Sequence, residues 1–167
     1  MIESEIALQP ATPDDTDFLK VLFASTRSDE LNALARDPKQ VQAFVDMQFI
    51  IQQANYRACY PSAENTIILL GEEAIGRMLV DRATETFVLV DIAIVNKWRN
   101  KGIGSFLIRR LMDEAAALQK PVRLSVFKLN PALRLYERLG FSIVHEDGVY
   151  SEMKWIPLPA RASFEIK

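Results

Sequence analysis

The apolar and polar positions divide the chain into alternating strand-like and helix-like stretches. "EIALQ" near the start reads as a short strand. The next stretch, "ATPDDTDFLKVLFAST", has the chemistry of a helix start. Thr12 can cap, Pro13 fits the first helical position, and Asp14 and Asp15 suit the positive end of the dipole. Phe18, Leu19, Leu22 and Phe23 then form one apolar stripe. A second helix is predicted from "DPKQ", with Asp37 capping and Pro38 following, and it should fade near "NYRACYP", where Pro61 forbids continuation. Its expected inner face is Val41, Phe44, Val45, Gln48 and Ile51, with Met47 and Ile50 beside it.

Strand signals follow. "NTIILLGEEAIGRMLVD" reads as a hairpin turning near Gly71 and Glu72. Gly76 lies inside its second arm, which predicts a bulge or a close backbone approach. "TFVLVDIAIV" is nearly all apolar, as a strand covered on both faces would be. "GIGSFLIRRLMDEAAALQK" is the clearest helix, with Ile103, Phe106, Leu107, Leu111, Ala115 and Leu118 facing one way and Arg109, Arg110, Asp113 and Glu114 the other. "PVRLSVF" is a further strand. "NPALRLYERLG" is a helix capped by Asn130, begun by Pro131 and stopped by Gly140. "FSIVHE" and "YSEMKWI" form a hairpin around "DG". The resulting order is β-α-α-β-β-β-α-β-α-β-β. It predicts an α/β fold with a mixed central sheet of about seven strands and flanking helices. Residues 1–156 are expected to form a single domain, and 157–167 a C-terminal tail or extension.

Composition narrows the chemistry. A length of 167 residues suits one domain with a sizeable core. The net charge of −2 argues against broad binding to nucleic acid, which needs a basic face. Cys59 is the only cysteine, so no intramolecular disulfide can form, which suits a reducing cytoplasm. Its neighbours "RACYP" supply no base, so it reads as structural rather than catalytic. One cysteine and one histidine, His145, are too few for a zinc site, and no metal is expected. No G-x-S-x-G pattern marks a nucleophilic serine. "MIESEIALQP" carries two early acids and does not resemble a signal peptide, and no stretch reaches the roughly 18 apolar residues of a membrane span. A soluble cytoplasmic protein without a membrane partner is expected.

One segment stands apart. "RNKGIG", residues 99–104, joins a strand pattern to a helix pattern. Lys97, Arg99, Lys101, Arg109 and Arg110 make it basic, with no acid between Lys97 and Arg110. A helix N-terminus presents unpaired N–H groups, and glycines let the backbone approach an anion. A tight turn would explain the glycines alone, whereas a diphosphate ligand explains the cations as well. The segment is not a Walker loop, and Leu107 fills the third glycine position of a dinucleotide fingerprint.

"RNKGIG" resembles the Arg/Gln-x-x-Gly-x-Gly/Ala loop of GNAT-type N-acetyltransferases, which holds the pyrophosphate of acyl-coenzyme A. The preceding "VDIAIVNKW" is similar to the family's apolar strand, and "NPALRLYERLGF" is similar to its Asn…Ala…Tyr…Gly-Phe segment. The likeness is specific over residues 86–141, and the element order extends it loosely to nearly the whole chain. Asn100 departs from the pattern, since many members carry glycine there.

The resemblance implies a GNAT-like sheet and an acetyl-coenzyme A cosubstrate. The amides of Lys101, Gly102, Ile103, Gly104 and Ser105 would hold the pyrophosphate, aided by Arg99 and its neighbour Asn100. The strand at Ile92, Ala93 and Ile94 would pair with the pantetheine arm, and an N–H there, that of Ile94, would polarise the thioester carbonyl. The family splays this strand from the next one, and the acyl chain enters the gap. Tyr136 would be the acid that protonates the leaving thiolate; otherwise it is a core tyrosine. Asn130 would contact the cofactor, cap its helix, or do both. Asp91 interrupts an apolar strand and needs a partner there. It is either a base for the acceptor amine or the structural mate of an arginine. Glu72 and Glu73 read as solvated, and His145 as structural or exposed. Met47, Phe49, Gln52, Tyr56 and Tyr60 would shape the acceptor pocket.

The implied activity is acetyl transfer to a primary amine, on a small molecule or a peptide, by direct attack in a ternary complex. The alternative is a non-catalytic acyl-coenzyme A-binding or regulatory module on the same fold. A nucleic-acid-binding domain is disfavoured by the acidic balance. Many members of the family dimerise, so a homodimer is also implied.

Overall fold

The structure, a computed structural model, describes residues 1–28, 31, 33 and 37–159. Seven strands form one sheet among the described residues: β1 (Ile6–Pro10), β2 (Glu64–Leu70), β3 (Glu73–Asp81), β4 (Phe87–Ile94), β5 (Val122–Phe127), β6 (Ser142–Glu146) and β7 (Tyr150–Trp155). Among the described residues four helices flank it: α1 (Thr16–Thr26), α2 (Pro38–Cys59), α3 (Ile103–Ala117) and α4 (Ala132–Leu139). These follow the predicted order. The sheet runs β1-β2-β3-β4-β5-β7-β6, antiparallel except where β4 meets β5. Most of the expected tail, residues 160–167, lies outside the described residues.

Local chemistry sets the helix starts. The Thr12 N–H donates to Asp15 Oδ2 at 2.8 Å, closing a capping box. The first turn winds tightly as a 3-10 helix over Pro13–Asp15, so α1 begins three residues later than Pro13. Asp37 Oδ1 accepts from the Lys39 N–H (3.0 Å), and Asn130 Oδ1 from the Ala132 N–H (2.9 Å).

The core has two layers. Under α3 and α4, Ile68, Met78, Leu89, Leu107, Leu111, Leu124 and Met153 pack together. Under α1 and α2 lie Leu19, Leu22, Phe23, Val45, Phe49 and Ile67. The inner face of α2 differs from expectation. Val45 and Phe49 are buried, while Met47, Ile50 and Ile51 are exposed. The edge-on packing of Phe49 against Phe23, 5.9 Å between ring centres, sets the rotation of the helix. Leu118 is also exposed, because α3 ends at Ala117 and the helical phase no longer applies.

Gly76 shows both expected features. Ile68 pairs with Gly76 and Leu69 with Ala74, so Ile75 is an extra residue in β3. A Cβ on Gly76 would stand 2.3 Å from the Ala93 carbonyl oxygen. A second bulge lies in β4. Leu79 pairs with Asp91 and Val80 with Leu89, leaving Val90 unpaired. Only the first part of β4, Phe87–Leu89, is buried, and Val90–Ile94 are half-exposed, so it is not covered along its whole length. The cause is the departure of β5.

Candidate active site

The parallel pairing of β4 with β5 covers Phe87 to Leu89 against Val122 to Leu124 and then stops. Both strands continue, so the sheet parts. A cavity of about 110 Å³ opens there, lined among others by Asp91, Ile92, Ser125, Phe127, Asn130 and Tyr136.

The parting exposes backbone groups. The Val95 N–H donates to Ile75 O at 2.8 Å. Antiparallel pairing alternates, so Asp91 and Ala93 turn their N–H and C=O toward β3 in the same register. Ile92 and Ile94 turn theirs to the opposite side, where β5 has left. Ala93 is therefore not brought to the opening, and it packs against the α1/α2 cluster.

Beyond β4, a 3-10 turn at Asn96–Trp98 leads to the basic loop. The Arg99 Nε–H donates to Ile94 O at 2.7 Å and ties the loop to the strand end. Asn100 holds φ 59, a left-handed conformation that asparagine tolerates better than most residues. This explains how asparagine stands where glycine is common in the resembled loop. Gly102, at φ 81, is the N-cap of α3, and no side chain caps that helix. The first helical bond runs from the Phe106 N–H to Gly102 O, so the N–H groups of Ile103, Gly104 and Ser105 precede the hydrogen-bonded ladder. A Cβ on Gly104 would meet only Ile94 Cδ1, at an ordinary 3.7 Å, so the chain's own packing does not require glycine there. Lys101 and Gly102 are exposed, while the Ile103 side chain is buried. Arg109 and Arg110 are exposed on α3. Lys97 is engaged by Glu73 at 2.7 Å, so Glu73 is not merely solvated. That hydrogen bond lowers the Glu73 pKa.

On the other wall stands Tyr136 of α4, its ring 5.9 Å from that of Phe141. Burial first, and the charge of Asp91 second, push its pKa up to about 12. Asp91 accepts from the Arg77 guanidinium, which is 4% exposed, whereas the Asp91 side chain is 26% exposed. The Tyr56 ring lies 5.5 Å from the Arg77 guanidinium carbon. Burial and the charge of Asp91 also raise the Tyr56 pKa.

The structure thus brings Tyr136, Asp91, Ile92 and Asn130 to one cavity, and Arg99, Ile94 and the start of α3 together at the end of β4. Of the proposed acceptor residues, Tyr56 lies over Arg77, while Phe49 is core and Met47 points outward. Tyr60 lines a neighbouring recess. His145 and Cys59 are exposed. Arg77 was missed by sequence reading. Its signal was a charge inside "AIGRMLVD", the counterpart of the one inside "FVLVDIAIV".

Residues 62–143 match the family model of the acetyltransferase (GNAT) domain. The chain carries a GNAT acetyltransferase domain. By class this makes it an acyltransferase. Solved structures of GNAT acetyltransferases share the fold. The PaiA N-acetyltransferase of Thermoplasma acidophilum, in complex with coenzyme A, is 14% identical with a TM-score of 0.66, over 90% of this chain and 98% of that one. An acetyltransferase of Thermus thermophilus is 20% identical with a TM-score of 0.66, over 93% and 99%. The spermidine N-acetyltransferase of Vibrio cholerae, in complex with CoA and spermine, is 18% identical with a TM-score of 0.62, over 92% and 96%. At these identities the likeness to the GNAT domain is one of fold. No curated protein matches the chain.

Proposed function

We propose that the chain transfers the acetyl group of acetyl-coenzyme A to a primary amine by direct attack within a ternary complex. The parting of β4 from β5, with Asp91 and Tyr136 in one cavity, is the observation that carries this reading.

The donor would lie along the opening. The outward N–H and C=O of Ile92 and the N–H of Ile94 offer an extended arm the pairing that a strand would take, and the Ile94 N–H would polarise the thioester carbonyl. The uncapped start of α3, with Arg99, Lys101 and the amides up to Ser105, suits the pyrophosphate. Gly104 leaves the space that a phosphate needs.

The acceptor nitrogen attacks the carbonyl carbon, the C–S bond breaks, and two proton movements complete the exchange. Asp91, directly or through water, takes the proton from the amine. Tyr136 gives its proton to the departing thiolate. A phenol with a pKa near 12 is fully protonated at neutral pH but is a weak acid. Protonation of Asp91 removes one of the two causes that raise it. Deprotonation of the amine would therefore make Tyr136 the better donor.

Acetyl-coenzyme A should raise the melting temperature, and a panel of amines should release free thiol. Absence of the shift would overturn the proposal. A shift without thiol release for any amine would favour the acyl-coenzyme A-binding module.

A further inference from the structure

On the α1/α2 side of the sheet, over the paired segments of β4 and β5, lies a second recess of about 120 Å³, lined by Tyr60, Val88, Arg123, Leu124, Ser125 and Glu152. It shares Leu124 and Ser125 with the cavity that holds Tyr136 and Asp91. The two spaces are therefore neighbours along β5.

The charges on Arg123, which lines this recess, and on Lys154, next to it across the ladder, are unbalanced. Arg123 stands directly opposite Lys154 in the β5–β7 pairing. Opposed residues of an antiparallel pair present their side chains on one face, and like charges so placed repel. Among the described residues one acid answers them: Glu152 Oε1 lies 3.3 Å from Arg123 Nη1. Lys154 makes no ion pair with any described residue. The Arg123 side chain remains 41% exposed. Deeper in, Asp91 and Arg77 balance each other, and Arg77 is buried beneath Tyr56.

Resting on the acyl-transfer reading above, we infer that the acceptor is a small amine that also bears a carboxylate, an amino-acid-like zwitterion. Its carboxylate docks between Arg123 and Lys154, and its amine reaches toward Asp91. Asp91 and Val88, the strand partner of Arg123, share a face of β4, separated by Leu89 and the bulged Val90, so amine and carboxylate subsites lie on one side of the sheet. A polyamine would need a further carboxylate for its distal ammonium, and at this recess Glu152 is already held by Arg123. A plain monoamine would leave the facing cations unrelieved.

The test compares free amino acids with the amines left when their carboxylate is removed, for example phenylalanine with phenethylamine and lysine with cadaverine. With acetyl-coenzyme A saturating, the amino acid of an accepted pair should have a kcat/KM at least about tenfold higher, the size of one charge-assisted contact. Arg123→Gln should collapse that ratio toward unity through KM, while the melting shift with acetyl-coenzyme A persists. Lys154→Gln should reduce the ratio in the same direction. Equal or better turnover of the decarboxylated amines, or a panel without any amino-acid substrate, would overturn the inference while leaving acyl transfer intact. Loss of the acetyl-coenzyme A shift in the unmodified chain would instead sink the acyl-transfer reading itself.

Discussion

Arg77 reaches from β3 to the carboxylate of Asp91 on β4, so the charges in the middle of these two apolar strands are each other's partners. The pair sits two residues out of line across the ladder: Arg77 is opposite Ala93, and Asp91 is opposite Leu79. Its stability contribution can be measured. Arg77→Met would leave Asp91 without its cation and should destabilise the fold by about 2 kcal/mol. That is less than the about 3 to 5 kcal/mol of a fully buried pair, because Asp91 keeps some contact with solvent. The double variant Arg77→Met/Asp91→Leu should recover most of the loss in denaturant melts. A double variant as weak as the sum of the two singles would remove the pairing argument.

Tyr136→Phe keeps the ring and its packing on Phe141 but removes the proton. Turnover should fall by about 100-fold or more while the affinity for acetyl-coenzyme A stays the same. Stopped-flow or steady-state thiol release measures the first, and titration calorimetry the second. Unchanged turnover would end the acid role.

The same residue should shape stability at alkaline pH. Its pKa is raised from 10.0 in the unfolded chain to about 12 in the folded one, so the folded state holds the proton more tightly. That contribution is complete below pH 10 and is lost as the pH climbs toward 12. Tyr56 shifts in the same direction. Unfolding free energies between pH 9 and 12 should therefore fall more gently in Tyr136→Phe than in the parent. Parallel curves would contradict the burial argument.

The two glycines of "RNKGIG" should separate on substitution. Gly102→Ala forces a Cβ into φ 81 and should destabilise the fold by about 1 to 2 kcal/mol. Gly104→Val meets no such strain, so the folded variant should melt near the parent temperature yet lose the acetyl-coenzyme A shift. An undiminished shift would show that the space at Gly104 is not used by the ligand.

Much of this was legible in the chain because the signals are local. Asp37 and Asn130 cap helices through residues two positions away, and Asp147 accepts from the N–H groups of Val149 and Tyr150 to close the last hairpin. What could not be read depends on distant partners. Glu73 looked solvated until Lys97, 24 residues away, met it. α2 has apolar residues around most of its surface, and the packing of Val45 and Phe49 against α1 and Ile67 leaves Met47 and Ile51 facing out. Strict alternation would set Asp91 beside Leu89, on the α3 side. The bulge at Val90 returns it to the other face, beside Arg77, and a bulge in an apolar run carries no mark in the sequence. The insertion of β7 between β5 and β6 is likewise a long-range event.

The opening between β4 and β5 also has a thermodynamic meaning. Within the ladder of the sheet, only Phe87–Leu89 and Val122–Leu124 join the four-stranded part to the three-stranded part. A molecule that occupies the opening in the folded chain, and has no site in the unfolded one, bridges the two parts and becomes a temporary structural member. At a concentration of 100 times its Kd it would add about 2.7 kcal/mol to the unfolding free energy. The durability of the fold and the supply of its ligand are then one coupled quantity.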